Sequence, residues 1–149
     1  MTSAGRAAPA PGARGHRGLP HTADLRLQAW APTREECLAE AVAALVGSFA
    51  DAAGRPAEWV AAAEIPPAGD AAVLVAVLEE VVYVVDTEGG VPVTTEVERT
   101  PDGRLRLQFG LVALDHVTLV GPAPKAVTMH GLRFGRDDPG WSCEVTVDV

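Results

Sequence analysis

The valine-rich segment from Asp70 to Glu88 constrains the fold more than any other part of the chain. Its composition alone favours a β-strand, because β-branched residues pack well on a pleated sheet. Its polar residues, however, recur at the spacing of one helix face: Glu79, Glu80, Tyr83, Asp86 and Thr87. We therefore predict a helix, with Asp70 capping its start and Gly89-Gly90 ending it.

A second helix is predicted after Thr33, which has capping-box spacing with Glu36. Its apolar residues form one stripe: Cys37, Leu38, Ala41, Val42, Leu45 and Phe49. We expect Gly54 and Pro56 to end this helical region. Alternation and turn signals predict strands at 24–30, 58–65, 91–99, 105–109, 125–134 and 142–148. This order predicts a single α+β domain, a mostly antiparallel or mixed β-sheet with two helices packed on one face.

The composition fits one compact domain, since 48% of the 149 residues are hydrophobic. Residues 1–20 contain three arginines and no acidic side chain. The whole chain has a net charge of -8, so the residues after position 20 carry a net charge of -11. We expect residues 1–18 to be a disordered leader rich in Ala, Pro, Gly and Arg, and residues 19–149 to fold. An acidic body repels phosphate backbones, so direct binding of nucleic acid is not expected. No segment has the length of a membrane span, and a cytoplasmic protein is the simplest interpretation.

Each end of the predicted domain carries a carboxylate that an apolar strand does not need. Asp24 opens the first predicted strand, and Asp148 stands near the end of the last, beside the α-carboxylate of Val149. If these two strands pair, three carboxylate groups converge. Such oxygen ligands suit a divalent cation such as Ca²⁺ or Mg²⁺ better than zinc, and water or a partner would complete the coordination shell. The competing interpretation is two solvated aspartates that bind nothing.

Other kinds of site find less support in the sequence. His21, His116 and His130 follow no zinc-binding spacing, and Cys37 and Cys143 form no CxxC motif, so we expect both cysteines to be buried. Neither the GxSxG elbow of serine hydrolases nor the Gly-rich phosphate loop is present. The enzymatic alternative is a small metal-dependent hydrolase or phosphotransferase that uses Asp24 and Asp148 with His21 or His130.

Several segments, taken in order along the chain, resemble the archease family. They are residues 21–25 (HTADL), the helix with Glu35-Glu36, and residues 78–89 (LEEVVYVVDTEG), 125–132 (KAVTMHGL) and 147–149 (VDV). The chain departs from the family pattern at Pro20, at Glu79-Glu80-Val81-Val82 and at Met129. These departures leave the predicted metal ligands in place.

The resemblance implies an accessory protein, not an enzyme, that activates the RtcB-type RNA ligase of tRNA splicing and RNA repair. In that family the factor promotes guanylylation of the ligase and its multiple turnover. The metal ligands of the family correspond to Asp24, Asp148 and Val149. The resemblance further implies a divalent cation as cofactor, with Ca²⁺ expected in the isolated protein and Mg²⁺ or Mn²⁺ with the partner.

Overall fold

The computed structural model describes residues 24–149. The predictions made for the leader at 1–18 and for His21 lie outside the described residues. In chain order the elements are β1 (Asp24–Ala31), α1 (Arg34–Phe49), β2 (Ala50–Asp51), β3 (Trp59–Ile65), α2 (Asp70–Glu88), β4 (Gly90–Arg99), β5 (Leu105–Ala113), a 3₁₀ turn (Leu114–His116), β6 (Thr118–Leu119), β7 (Ala126–Asp137) and β8 (Gly140–Asp148).

The first helix, α1, starts as its sequence predicts. The hydroxyl of Thr33 accepts a hydrogen bond from the backbone N–H of Glu36 at 3.1 Å and donates to the carboxylate of Glu36 at 3.0 Å. The helix ends at Phe49, several residues before Gly54, so the prediction of its end was wrong. The chain turns there into β2, whose backbone pairs with the distant β6, and this non-local pairing is not visible in the local pattern.

The second helix, α2, confirms that periodicity outweighs the strand propensity of valine. Its apolar side buries Val73, Leu74, Val77, Leu78, Val81 and Val84. The cap residue is Gly69 rather than Asp70, which was predicted to cap the start. Asp70 instead accepts a hydrogen bond at 2.8 Å from the guanidinium of Arg34 and so joins the two helices. Gly89 ends the helix with a left-handed φ of 63°, as predicted.

The strands of residues 24–149 form two three-stranded sheets and one short pair, all antiparallel. The first sheet has the order β1-β8-β7, the second the order β3-β5-β4, and β2 pairs with β6. Helix α1 packs against β1 and β4, and α2 packs against β7. The predicted α+β fold is confirmed, although the division into two sheets was not predicted.

One main core joins both sheets to both helices. Leu27 of β1 and Val145 and Val147 of β8 lie in it, so the inward residues of these strands are fixed by packing. Cys37 and Cys143 are free and buried in the same core, as predicted. Within residues 24–149, neither helix combines the length and the apolar character that a membrane crossing requires.

Candidate functional site

Asp24 and Asp148 face each other across the first sheet. They are direct partners in the antiparallel pairing of β1 with β8, and the next pair along the strands is Leu25 with Val147. Successive side chains of a strand point to opposite faces, and Val147 is buried, so the two aspartates project from the outer face. Both are exposed. The Cβ atoms of such opposed residues are about 4.5–5.5 Å apart. The prediction that the first and last strands pair is confirmed.

The end of the described chain is held in place beside this pair. The backbone N–H of Lys125 donates to the carbonyl oxygen of Asp148 at 2.8 Å. Val149 is partly buried and packs against the main core. These two contacts anchor the backbone on both sides of the Asp148 side chain, so the Cα of Asp148 has a defined position opposite Asp24.

The two aspartates form an uncompensated pair of like charges. Among the described residues, neither one takes part in a salt bridge. Like charges directly opposite each other destabilise an antiparallel pair, so the sheet itself gains nothing from them. No group of three or more His, Cys, Asp or Glu side chains able to hold a metal ion occurs within residues 24–149. A cation bound here would need further oxygen ligands besides the two side chains.

A buried carboxylate lies farther along the same outer face. The side chain of Glu144 is only 10% exposed although it belongs to the solvent side of β8. Its Oε1 accepts a hydrogen bond at 2.8 Å from Arg133, and its Oε2 is paired with Arg26. The amide of Gln28 also approaches Oε1, at 3.4 Å. Glu144 is therefore saturated by donors, whereas the side chains of Arg26 and Arg133 remain about 70% exposed.

A bulge in β7 brings Arg133 to this position. Thr128 pairs with Thr146 and Arg133 with Glu144, so residues 129–132 of β7 lie against a single residue of β8. Gly131 has a left-handed φ of 69°, which a β-branched residue would adopt only with strain. The regular alternation of the strand predicted at 125–134 therefore breaks off after Thr128.

The remaining predicted candidates are separate from the aspartate pair or have structural partners. His116 contacts Glu58 at 2.6 Å between Nδ1 and Oε2, and Glu58 also accepts a hydrogen bond from the N–H of Ala113 at 2.9 Å. The bond from Ala113 and the contact with His116 lower the pKa of Glu58. The backbone N–H of His130 donates to the hydroxyl of Thr128 at 3.0 Å, and His130 is exposed on the bulge.

The carboxylates of α2 have different surroundings. Glu79 is exposed and approaches the N–H of Val127 at 3.4 Å, which links α2 to β7. Burial, and then the charge of Glu88, raises the pKa of Glu80. Neither carboxylate is paired with a base, so the predicted solvent-facing helix side fits them better than acid–base catalysis.

No sequence pattern predicted a place in the site for Arg26, Arg133 or Glu144. Alternation along 142–148 does place Glu144 on the outer face, but an outward residue is expected to be exposed. Its burial depends on Arg133, whose position depends on the bulge. A local pattern contains no signal for that contact.

The described residues thus form a small α+β domain that carries an exposed acidic pair on the outer face of one sheet. The model of the archease protein family (MTH1598/TM1083) matches residues 16–149. The chain belongs to the archease family.

Two relatives agree with this membership. The probable protein archease of Mycobacterium tuberculosis is 44% identical over 135 residues, which cover 91% of this chain and 75% of the relative. Protein archease of Archaeoglobus fulgidus is 28% identical over 138 residues, which cover 90% of this chain and 98% of the relative.

Two solved structures share the fold. The crystal structure of an archease, possible chaperone, from Thermotoga maritima has a TM-score of 0.65 at 19% identity, covering 92% of this chain and 99% of that one. The solution structure of Methanobacterium thermoautotrophicum protein 1598 has a TM-score of 0.67 at 22% identity, covering 86% of this chain and 94% of that one.

Proposed function

We propose that this archease activates an RtcB-type RNA ligase, promoting its guanylylation and multiple turnover in tRNA splicing or RNA repair. It would act as an accessory protein in the cytoplasm, with no turnover of its own. The observation that carries the proposal is the direct opposition of Asp24 and Asp148 on an exposed sheet face. This geometry suits a site that is shared with a partner, because a second protein can reach it.

The donor set fits a hard divalent cation. The residues that would hold it are Asp24, Asp148 and, through its carboxylate, Val149. Carboxylate oxygens are preferred by Ca²⁺ and Mg²⁺, and a cation would also relieve the repulsion between the two aspartates. We expect Ca²⁺ in the isolated protein and Mg²⁺ or Mn²⁺ with the ligase. A divalent cation at such a site supplies charge stabilisation for phosphate oxygens and orientation for a departing pyrophosphate.

The exposed position of the pair supports delivery to a partner. The usual shell of Ca²⁺ contains 6–8 oxygen ligands, which two or three carboxylates leave incomplete. Asp24 and Asp148 would orient one side of the shell, and groups of the ligase or of its substrate would supply the other. The net charge of -11 outside residues 1–23 favours association with a basic nucleotide site, while the ligase holds the RNA.

Pulse-labelling of the cognate ligase with GTP tests the proposal directly. Guanylylated ligase should accumulate faster when native archease is added. Asp24→Asn and Asp148→Asn should remove this stimulation, whereas Asp86→Asn, an exposed acid of α2 with the same change in charge, should retain it. Full stimulation by folded Asp24→Asn and Asp148→Asn proteins would refute the proposed site, and no stimulation by native archease would refute the partner.

The enzymatic alternative predicts a different result. Purified archease alone, with Mg²⁺ or Mn²⁺, should not turn over phosphate esters or nucleotides. Turnover that disappears in Asp148→Asn would favour a hydrolase or phosphotransferase instead.

A further inference from the structure

Two exposed guanidinium groups lie on the outer face of the first sheet beside the aspartate pair. Arg26 and Arg133 approach the buried Glu144 from opposite neighbouring strands and contact different oxygens of its carboxylate. Both side chains stay about 70% exposed, so each has N–H groups free to bind a further acceptor. We define Arg26 and Arg133 as the guanidinium pair.

The strand register places Arg26 one outward row and Arg133 two outward rows from the aspartates. Asp24 and Asp148 are paired in one row across the sheet, Arg26 and Thr146 in the next outward row, and Glu144 and Arg133 in the one after. Successive outward rows are about 7 Å apart, because a strand rises about 3.4 Å per residue. Arg26 therefore begins about 7 Å and Arg133 about 14 Å along the strands from the aspartates, a span that a polyphosphate chain and the long arginine side chains can cover together.

The charges make anion binding at this pair dependent on a cation. The two arginines exceed Glu144 by one positive charge, while Asp24 and Asp148 bring two negative charges to the adjacent row. Without a cation the whole group is net negative and repels phosphate. With the α-carboxylate of Val149 counted as the third ligand, a divalent cation would bring the group to zero net charge and so remove this repulsion.

We propose that Arg26 and Arg133 bind the phosphate oxygens of a short polyphosphate, either free pyrophosphate or the chain of a nucleoside triphosphate, whose metal ion is held by Asp24 and Asp148. This inference rests on the cation site of the proposed function. Arginine suits the role because its planar fork matches phosphate oxygens with two parallel hydrogen bonds. Glu144 is a positioning residue, since each of its oxygens contacts one guanidinium group while both arginine side chains stay largely exposed.

Titration calorimetry and ³¹P NMR with inorganic pyrophosphate test this site in the full-length protein. We expect saturable binding of pyrophosphate in the presence of Mg²⁺ and none in EDTA. Arg26→Gln and Arg133→Gln should each weaken it about tenfold or more, because each removes a charge-assisted contact. The matched control is Arg106→Gln, which removes an arginine that pairs with Glu98 at 3.0 Å on the second sheet.

Glu144→Gln separates positioning from simple stabilisation. It should weaken pyrophosphate binding while the circular dichroism spectrum stays native. Unchanged affinity with a lowered unfolding temperature would assign Glu144 a structural role only and would overturn its positioning role.

The outcomes distinguish this inference from the function on which it rests. A thermal shift with Mg²⁺ alone that is lost in Asp148→Asn, together with no binding of pyrophosphate, would overturn the polyphosphate site and leave the cation site intact. Equal losses in Arg106→Gln and Arg133→Gln would overturn it as well. Similar affinities for pyrophosphate and GTP would support recognition through phosphates, whereas binding of GTP alone would refute it.

Discussion

Replacing Asp148 with Asn should change stability in opposite directions with and without a divalent cation. In the metal-free protein the carboxylates of Asp24 and Asp148 repel each other, because they are direct partners across β1 and β8. Two unit charges about 5 Å apart interact by roughly 0.8 kcal/mol in water, which agrees with a penalty of about 0.2–1 kcal/mol for opposed like charges. Asp148→Asn should therefore raise the free energy of unfolding by about that amount, or the unfolding temperature by roughly 1–4 °C.

A bound cation should make the native protein more stable than Asp148→Asn. A ligand that binds only the folded state stabilises it by about 2.7 kcal/mol at a concentration of 100 times its Kd. Native archease should gain this stabilisation. Asp148→Asn should lose most of it, because the substitution removes one of the carboxylates that hold the cation. The assay is thermal unfolding followed by circular dichroism in EDTA, in CaCl₂ and in MgCl₂.

Asp86→Asn is the control, since it removes one negative charge from an exposed position of α2. Its response to the cation should match that of the native protein. The advantage of Asp148→Asn in EDTA should also shrink as NaCl is added, because salt screens exposed charges. An Asp148→Asn protein that is less stable than native protein in EDTA, or that keeps the full stabilisation by the cation, would refute this prediction.

Two further predictions concern the fold itself. Leu78 is completely buried on α2, so Leu78→Ala should lower the free energy of unfolding by about 2–5 kcal/mol in urea titrations, whereas Val60→Ala, at a side chain 57% exposed, should change it little. The pKa of Glu58 is lowered below its ordinary value of 4.5, so the stability that it contributes is present above that pH and is lost as the pH falls through the folded-state pKa. Urea midpoints measured from pH 6 downwards should therefore fall less steeply in Glu58→Gln, and an identical pH profile would contradict this role.

The helices were predictable because each is specified by a short-range pattern. The polar face of α2 and the capping box of Thr33 with Glu36 require only residues that are three or four positions apart. The observed helices differ from the predicted ones only at their ends. Phe49 ends α1 because β2 pairs with β6, and Asp70 pairs with Arg34 instead of capping α2. Both differences arise from contacts between residues that are distant in the sequence.

The candidate site was predictable only in part for the same reason. Asp24 and Asp148 were recognisable because each is a carboxylate in an otherwise apolar strand, and family resemblance gave an independent reason to join them. Arg133 was not recognisable as a site residue, since its position depends on the bulge at residues 129–132. The burial of Glu144 depends in turn on Arg26 and Arg133, so a residue that alternation marks as exposed is nearly enclosed.

The pairing of β8 with β1 specifies the core and the candidate site together. Leu27 lies opposite Val145 inside the core, and Asp24 lies opposite Asp148 outside it, in one continuous register. A slip of one residue would turn the apolar residues of β1 towards solvent and separate the two aspartates. The hydrophobic burial that fixes the register therefore also fixes the repulsive pair. Burial of a single Val or Leu side chain contributes about 1.5–3 kcal/mol, which exceeds the roughly 0.8 kcal/mol of repulsion, so the packing of the core holds the two aspartates opposite each other.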